Sequence, residues 1–251
     1  MRDYTNLAWP EGPFGAGQRP YGKPALLVAA FAVDWGRGPD PLPLAAATVY
    51  LRVRKHGEPQ PVSGASLRVG FRATVTEYPG EVPQLLAVWD RALVRARRHA
   101  LVLAGHHLAN DLTRAVQLSP TPLRGADGVA AAWQTRSVQQ RGMALMVDTA
   151  SEARNAGTGL SLPLDPGGPL DEMSCCDRAQ AALARCLAIG LAACVHAGRY
   201  RVEAAFPVDE VIQRVGWDLF TDPPAPAGSS MVAVGPASTD ASRKERCAGT
   251  Q

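Results

Sequence analysis

Lysine, aromatic residues and paired cysteines are all scarce in this sequence, and each scarcity excludes something. Lysine occurs only at Lys23, Lys55 and Lys244, so arginine carries nearly all the positive charge. A net charge of +3 with a pI of about 8.7 permits a nucleic-acid partner without arguing for one, because dedicated binders show a denser basic surface. Aromatics make up 6% of the chain, so aliphatic side chains and alanine must fill any core; 46% hydrophobic against 20% charged residues is enough for one sizeable domain. The cysteines are Cys175, Cys176, Cys186, Cys194 and Cys247, an odd number with no C-x-x-C pair. That pattern argues against a disulfide framework and against a cysteine zinc knuckle. Cys186 and Cys194 fall in an apolar helical stretch and read as buried free thiols, which fits a reducing cytoplasm.

The common catalytic signatures are missing too. There is no G-x-S-x-G elbow, no H-E-x-x-H, no G-x-x-x-x-G-K and no G-x-G-x-x-G. Gly36-Arg37-Gly38 is too short for a phosphate loop, and Pro39 removes an amide donor. The apolar run Ala25 to Val33 follows a segment containing Asp3 and Glu11, which is not a compact basic leader. No membrane span is expected: the nearest stretch, Ala179 to Val195, is alanine-rich, short and interrupted by Arg185.

What is present is a mixed α/β pattern. Residues 1–24 are rich in Gly and Pro and read as a flexible arm, 25–220 as the domain, and 221–251 as a disordered tail. Ala25 to Val33 is a continuous apolar run, the mark of a strand buried on both faces. Leu44 to Lys55 reads as a second strand. Ser66 to Glu77 alternates, with Leu67, Val69, Phe71, Ala73 and Val75 facing one way and Arg68, Arg72, Thr74 and Thr76 the other, which predicts a third strand with one wet face. The three together make an antiparallel meander. Helical spacing then runs from Val82 to Arg98, where Arg91, Arg95, Arg97 and Arg98 cluster toward the C-terminal end and complement the helix dipole. Further helices are expected over Leu108 to Leu118, Gly125 to Gln140, Cys176 to His196 and Val208 to Phe220. Short apolar strands are expected at Ala100 to Ala104 and Met143 to Val147, and Asn155 to Pro169 reads as loop.

The stretch Ala100 to Ala115 (ALVLAGHHLANDLTRA) carries the chemistry. A short apolar strand ends at Gly105, and His106, His107 and then Asp111 follow as a helix begins. Ligand sites in open α/β sheets lie just beyond the C-terminal ends of strands. The stretch resembles the second motif of the DEDD-type 3'-5' exonucleases, in which a Gly-His-Asn-like turn leads to a metal-binding Asp; the matching residues are Gly105, His106 and Asp111. The resemblance covers about Pro24 to Phe220. It implies an α/β, ribonuclease-H-like fold: a mixed five-stranded sheet flanked by helices, with three antiparallel strands followed by alternating helices and strands. It further implies Mg2+ or Mn2+ as cofactor and single-stranded DNA or RNA as partner. Two-metal phosphodiester hydrolysis needs carboxylates converging from several elements.

Here the set is incomplete. Asp34 stands where the first strand's Asp is expected, but Trp35 and Gly36 follow it and the accompanying Glu is absent. Asp148-Thr149 with Ala153-Arg154 resembles the family's Asp-Thr-x-x-x-Ala-Arg segment. The last long helix carries no acid from Arg178 through Val195, leaving Asp177 at its start as a substitute ligand only if that end enters the site. The resemblance therefore assigns Asp34, Asp111 and His106 to catalysis and Asp34, Asp111 and Asp177 to metal. Bland alternatives stand beside these: a turn acid for Asp34, a helix N-terminal charge for Asp111, a first-turn acid for Asp177. His106 and His107, as neighbours in extended backbone, are expected to point to opposite sides. Three readings remain open: an active exonuclease, the same fold with a decayed site acting as a nucleic-acid-binding or protein-interaction module, and an unrelated α/β protein.

Overall fold

A computed structural model of the chain describes residues 1–7, 26–54, 57–135, 144–153, 170–202 and 206–220. In chain order the elements are β1 (Arg2–Thr5), β2 (Leu26–Trp35), β3 (Pro43–Val53), β4 (Gln60–Val62), β5 (Val69–Val75), α1 (Val82–His99), β6 (Ala100–Gly105), α2 (Leu108–Leu118), α3 (Arg124–Gln134), β7 (Leu145–Asp148), α4 (Cys175–His196), β8 (Tyr200–Val202) and α5 (Val208–Gly216). The main sheet has six strands in the order β1-β5-β3-β2-β6-β7, and β4 and β8 form a separate parallel pair. β1, β5, β3 and β2 pair antiparallel in succession; β2-β6 and β6-β7 are parallel.

Strand periodicity divides the core. Val28, Ala30 and Ala32 of β2 face a cluster built with α4 and α5, while Leu27, Ala29, Phe31 and Val33 face one built with α1, α2 and α3. Both faces of β2 are therefore covered, which is why its sequence is continuously apolar. α4 lies flat against β2 and β3. A Cβ at Gly190 would come within 3.2 Å of Leu51 and 3.3 Å of Ala30, so the small residues of α4 let helix and sheet approach closely. Alanine supplies the volume that the few aromatics do not.

On the other face, Asp90 of α1 accepts a hydrogen bond from the Ala126 amide at 2.8 Å, satisfying a free donor at the start of α3. Gly125 permits that contact, because a Cβ there would collide with the Asp90 carbonyl. The apolar stripe of α1 (Leu85, Leu86, Trp89, Leu93, Ala96) is buried beneath.

Several sequence expectations need correction. The sheet has six strands rather than five. The extra one, β1, comes from the segment read as a flexible arm; residues 8–25 of that segment lie outside the described residues. β1 pairs with β5 and brings Asp3 to Arg72 (2.8 Å) and Thr74 (3.0 Å). The face of β5 expected to be wet is therefore polar but largely closed: Thr74 is 1% and Thr76 4% exposed. β4 is a further strand not anticipated. α4, at 22 residues, is long and apolar enough to cross a membrane by length and composition, contrary to the reading of that stretch as too short. In this fold it is the central helix, with 78% of its most apolar window buried. α3 is described only to Gln134. The expected loop at 155–169 and tail at 221–251 lie outside the described residues, as does Cys247. Cys186 and Cys194 are buried and free, as expected.

Candidate functional site

The alternation of β2 continues past its apolar run. Asp34 keeps the phase of Val28, Ala30 and Ala32 and turns toward α4; Trp35 keeps the phase of Val33 and turns toward α2, after a register shift between the two. Each meets a charged partner. On the α4 side, Nη2 of Arg185 donates to the Val33 carbonyl at 2.6 Å and to the Asp34 carboxylate. The ion pair is deeply buried, with side-chain exposures of 9% for Arg185 and 2% for Asp34. On the α2 side, the Trp35 indole N–H donates to Asp111 at 2.8 Å, and the Arg114 guanidinium lies 5.5 Å above the Trp35 ring, a cation–π contact.

Asp34 and Asp111 thus end up at one locus, at the C-terminal ends of β2 and β6, with Arg185 within electrostatic reach of both. Burial pushes Asp111 up to about 7; the Trp35 hydrogen bond and the Arg185 charge oppose that rise, and the Asp34 charge adds to it. Burial also raises Asp34, with Arg185 opposing. Desolvation outweighs the attraction because the single guanidinium serves two carboxylates and a carbonyl, and among the described residues its Nε has no hydrogen-bond partner.

The turn between β6 and α2 is tightly held. A Cβ at Gly105 would collide with Leu108, so only glycine ends the strand here. His107 adopts φ 57°, the left-handed region that non-glycine residues seldom enter, and its amide donates to Asp148 Oδ1 at 3.2 Å. Thr149 Oγ1 donates its one proton to the Gly105 carbonyl (3.2 Å), so it accepts from His106 Nδ1–H (3.0 Å), which sets the His106 tautomer. His106 is 6% exposed and His107 exposed, yet their rings meet edge-on at 4.7 Å. The expectation that they point to opposite sides presumed extended backbone, and the left-handed residue overturns it.

Asp177 is placed elsewhere. It sits exposed in the first turn of α4, bonded to the N-cap Ser174, whose hydroxyl lies 2.8 Å from its Oδ2. Arg185 lies about 12 Å further along the helix axis, at 1.5 Å per residue. Asp177 instead lines a cavity of about 460 Å³ shared with Asp209 and Ile212 of α5. Among the described residues, no group of three or more His, Cys, Asp or Glu side chains is arranged to hold an ion. A two-magnesium centre does not fit this arrangement. Of the two carboxylates that converge, one is bound to a fixed cation and the other is held by an indole and half protonated near neutrality.

Sequence reasoning noted Arg185 only as an interruption of an apolar stretch. The signal was there: a lone charge inside an apolar helix requires a buried counter-charge, and few acids were available to supply it. Comparison with family models, characterised proteins and solved structures finds no match for this chain.

Proposed function

We propose that the chain is a ribonuclease-H-like module, similar in plan to the DEDD 3'-5' exonucleases, that acts by binding rather than by hydrolysis. With β1 set aside, the order β5-β3-β2-β6-β7 and its succession of two antiparallel and two parallel pairings agree with the plan that the resemblance implies. The position of Asp111 after β6 and of Asp34 at the end of β2 agrees with it too. The observation that carries the binding reading is Arg185: the long helix after β7, from which that family draws an acidic ligand, here sends a guanidinium into the carboxylates. A guanidinium is always charged and cannot exchange for a divalent ion as water does. The buried thiols of Cys186 and Cys194, neither of them in a disulfide, are compatible with a reducing cytoplasm.

The convergence of Asp34 and Asp111 is the observation in favour of the other reading, a metal-dependent exonuclease, which would require Arg185 to leave Asp34. Calorimetric titration with magnesium and with manganese decides between them, on the chain and on Asp111→Ala. No heat of binding from either protein up to millimolar metal is expected. Metal binding that Asp111→Ala abolishes, together with release of nucleotides from single-stranded DNA or RNA, would overturn the proposal.

A further inference from the structure

The arginines near the end of α1 are accounted for by the helix dipole only while α1 is considered alone. In the fold, Arg97 and Arg98, both in the last turn of α1, line a cavity of about 520 Å³ together with Val94, Gly125 and Arg124, the first residue of α3. Arg124 has the opposite relation to a dipole: it places a positive charge at a helix N-terminus, where the dipole disfavours it. Among the described residues none of these three arginines forms an ion pair. The acids nearest in the chain offset them only in part. Asp90, whose carboxylate lies beside Gly125 and accepts from the Ala126 amide, brings one negative charge against three positive ones, and Asp127, in the first turn of α3, is not among the residues lining the cavity. The Arg97 guanidinium lies against Gly128, where a Cβ would collide with Nη1. Three like charges from two helices around one hollow, set against the single carboxylate of Asp90, leave a net positive field there that an anion would offset.

We propose that this cavity binds phosphate groups of a single-stranded nucleic acid. Guanidinium groups pair bidentately with phosphate oxygens, and the positive end of α3 adds to the same field. The site lies on the outer α1/α3 surface, on the opposite side of the sheet from Arg185, so it does not depend on the Asp34 locus. The choice of nucleic acid as partner rests on the binding-module reading; the anion site does not.

The test is fluorescence anisotropy of a labelled oligothymidylate with the full chain, with Arg97→Gln/Arg98→Gln/Arg124→Gln, and with Arg54→Gln/Arg68→Gln/Arg201→Gln, which removes equal charge from other exposed positions. Circular dichroism confirms that each is folded. Expected is a loss of about tenfold or more for the first triple variant alone. Its log–log salt slope should be shallower by about 2, at about 0.7 per phosphate contact on a single strand. Inorganic pyrophosphate should compete with the oligonucleotide on the unaltered chain. Equal weakening by both triple variants, or no weakening by the first, overturns the inference while leaving the binding-module reading standing. Asp111-dependent, metal-dependent hydrolysis would overturn that reading while leaving the anion site standing.

Discussion

Replacing Asp111 by asparagine isolates the cost of ionising a carboxylate inside this fold. The side chain is 9% exposed, and burial pushes it up to about 7, against about 3.9 for an aspartate in unfolded chain. Between those values the folded state keeps a proton that the unfolded state releases. This group's contribution to stability is therefore greatest at acid pH and falls as pH rises from about 4 to about 7, by about 1.4 kcal/mol per unit. By pH 5 roughly 1.5 kcal/mol has been lost, and by pH 8 about 4 kcal/mol. Asparagine keeps an oxygen that accepts from the Trp35 indole and has no proton to lose. Any fixed effect of the substitution, such as an altered contact with Arg185, is the same at both pH values. The expected result is that Asp111→Asn gains on the unaltered chain by about 2.5 kcal/mol between pH 5 and pH 8. Urea unfolding followed by tryptophan fluorescence reads it. A stability difference independent of pH would refute the reasoning, because it would mean that Asp111 is solvated or paired well enough to ionise normally.

Two further substitutions probe the supports of the site. Arg185→Met leaves Asp34 buried without its cation and should cost about 3–5 kcal/mol in urea unfolding. Adding Asp34→Leu to it should recover most of that loss, and a double variant no more stable than the single one would show that the pair does more than neutralise itself. Gly125→Ala drives a Cβ into the Asp90 carbonyl and should cost about 1–3 kcal/mol by forcing α1 and α3 apart. Gly80→Ala, with open space at that position, serves as the comparison, and equal thermal midpoints for the two would contradict the packing described.

Much of this architecture was legible because its strands are extreme cases. β2 is apolar on both faces because helices cover both, and a strand with one face in water would alternate instead. α1 shows its buried stripe at helical spacing because only one of its faces meets the sheet. β1 was not legible. Arg2, Asp3, Tyr4 and Thr5 hold one edge of the sheet by a backbone ladder and by Asp3, and neither leaves an apolar pattern in four residues. The wet face assigned to β5 failed with it, since the closure of Thr74 is supplied from 71 positions away. At the site, Asp34 and Asp111 could be singled out because each follows an apolar strand. Their environment could not. Whether Asp34 faces a metal, water or a guanidinium depends on which turn of α4 crosses the end of β2, and the partner is 151 positions distant.

The coexistence of two inward carboxylates and one inward arginine follows from a single constraint. A parallel sheet gathers its strand ends, so acids placed there are brought together and desolvated, and a cation must offset them. A divalent ion offsets them from solution and leaves open positions for water and phosphate, which is what hydrolysis requires. A guanidinium covalently tied to α4 offsets Asp34 at fixed geometry and offers no such position. Its reach is also limited: Asp111 receives only the field of Arg185 and an indole hydrogen bond, so it remains protonatable near neutrality. An arrangement that supplies the cation internally and leaves one acid half charged offsets the strand-end carboxylates without a divalent ion. On the proposed reading, affinity for phosphate then lies where unpaired arginines face a hollow, at the α1/α3 seam rather than at the strand ends.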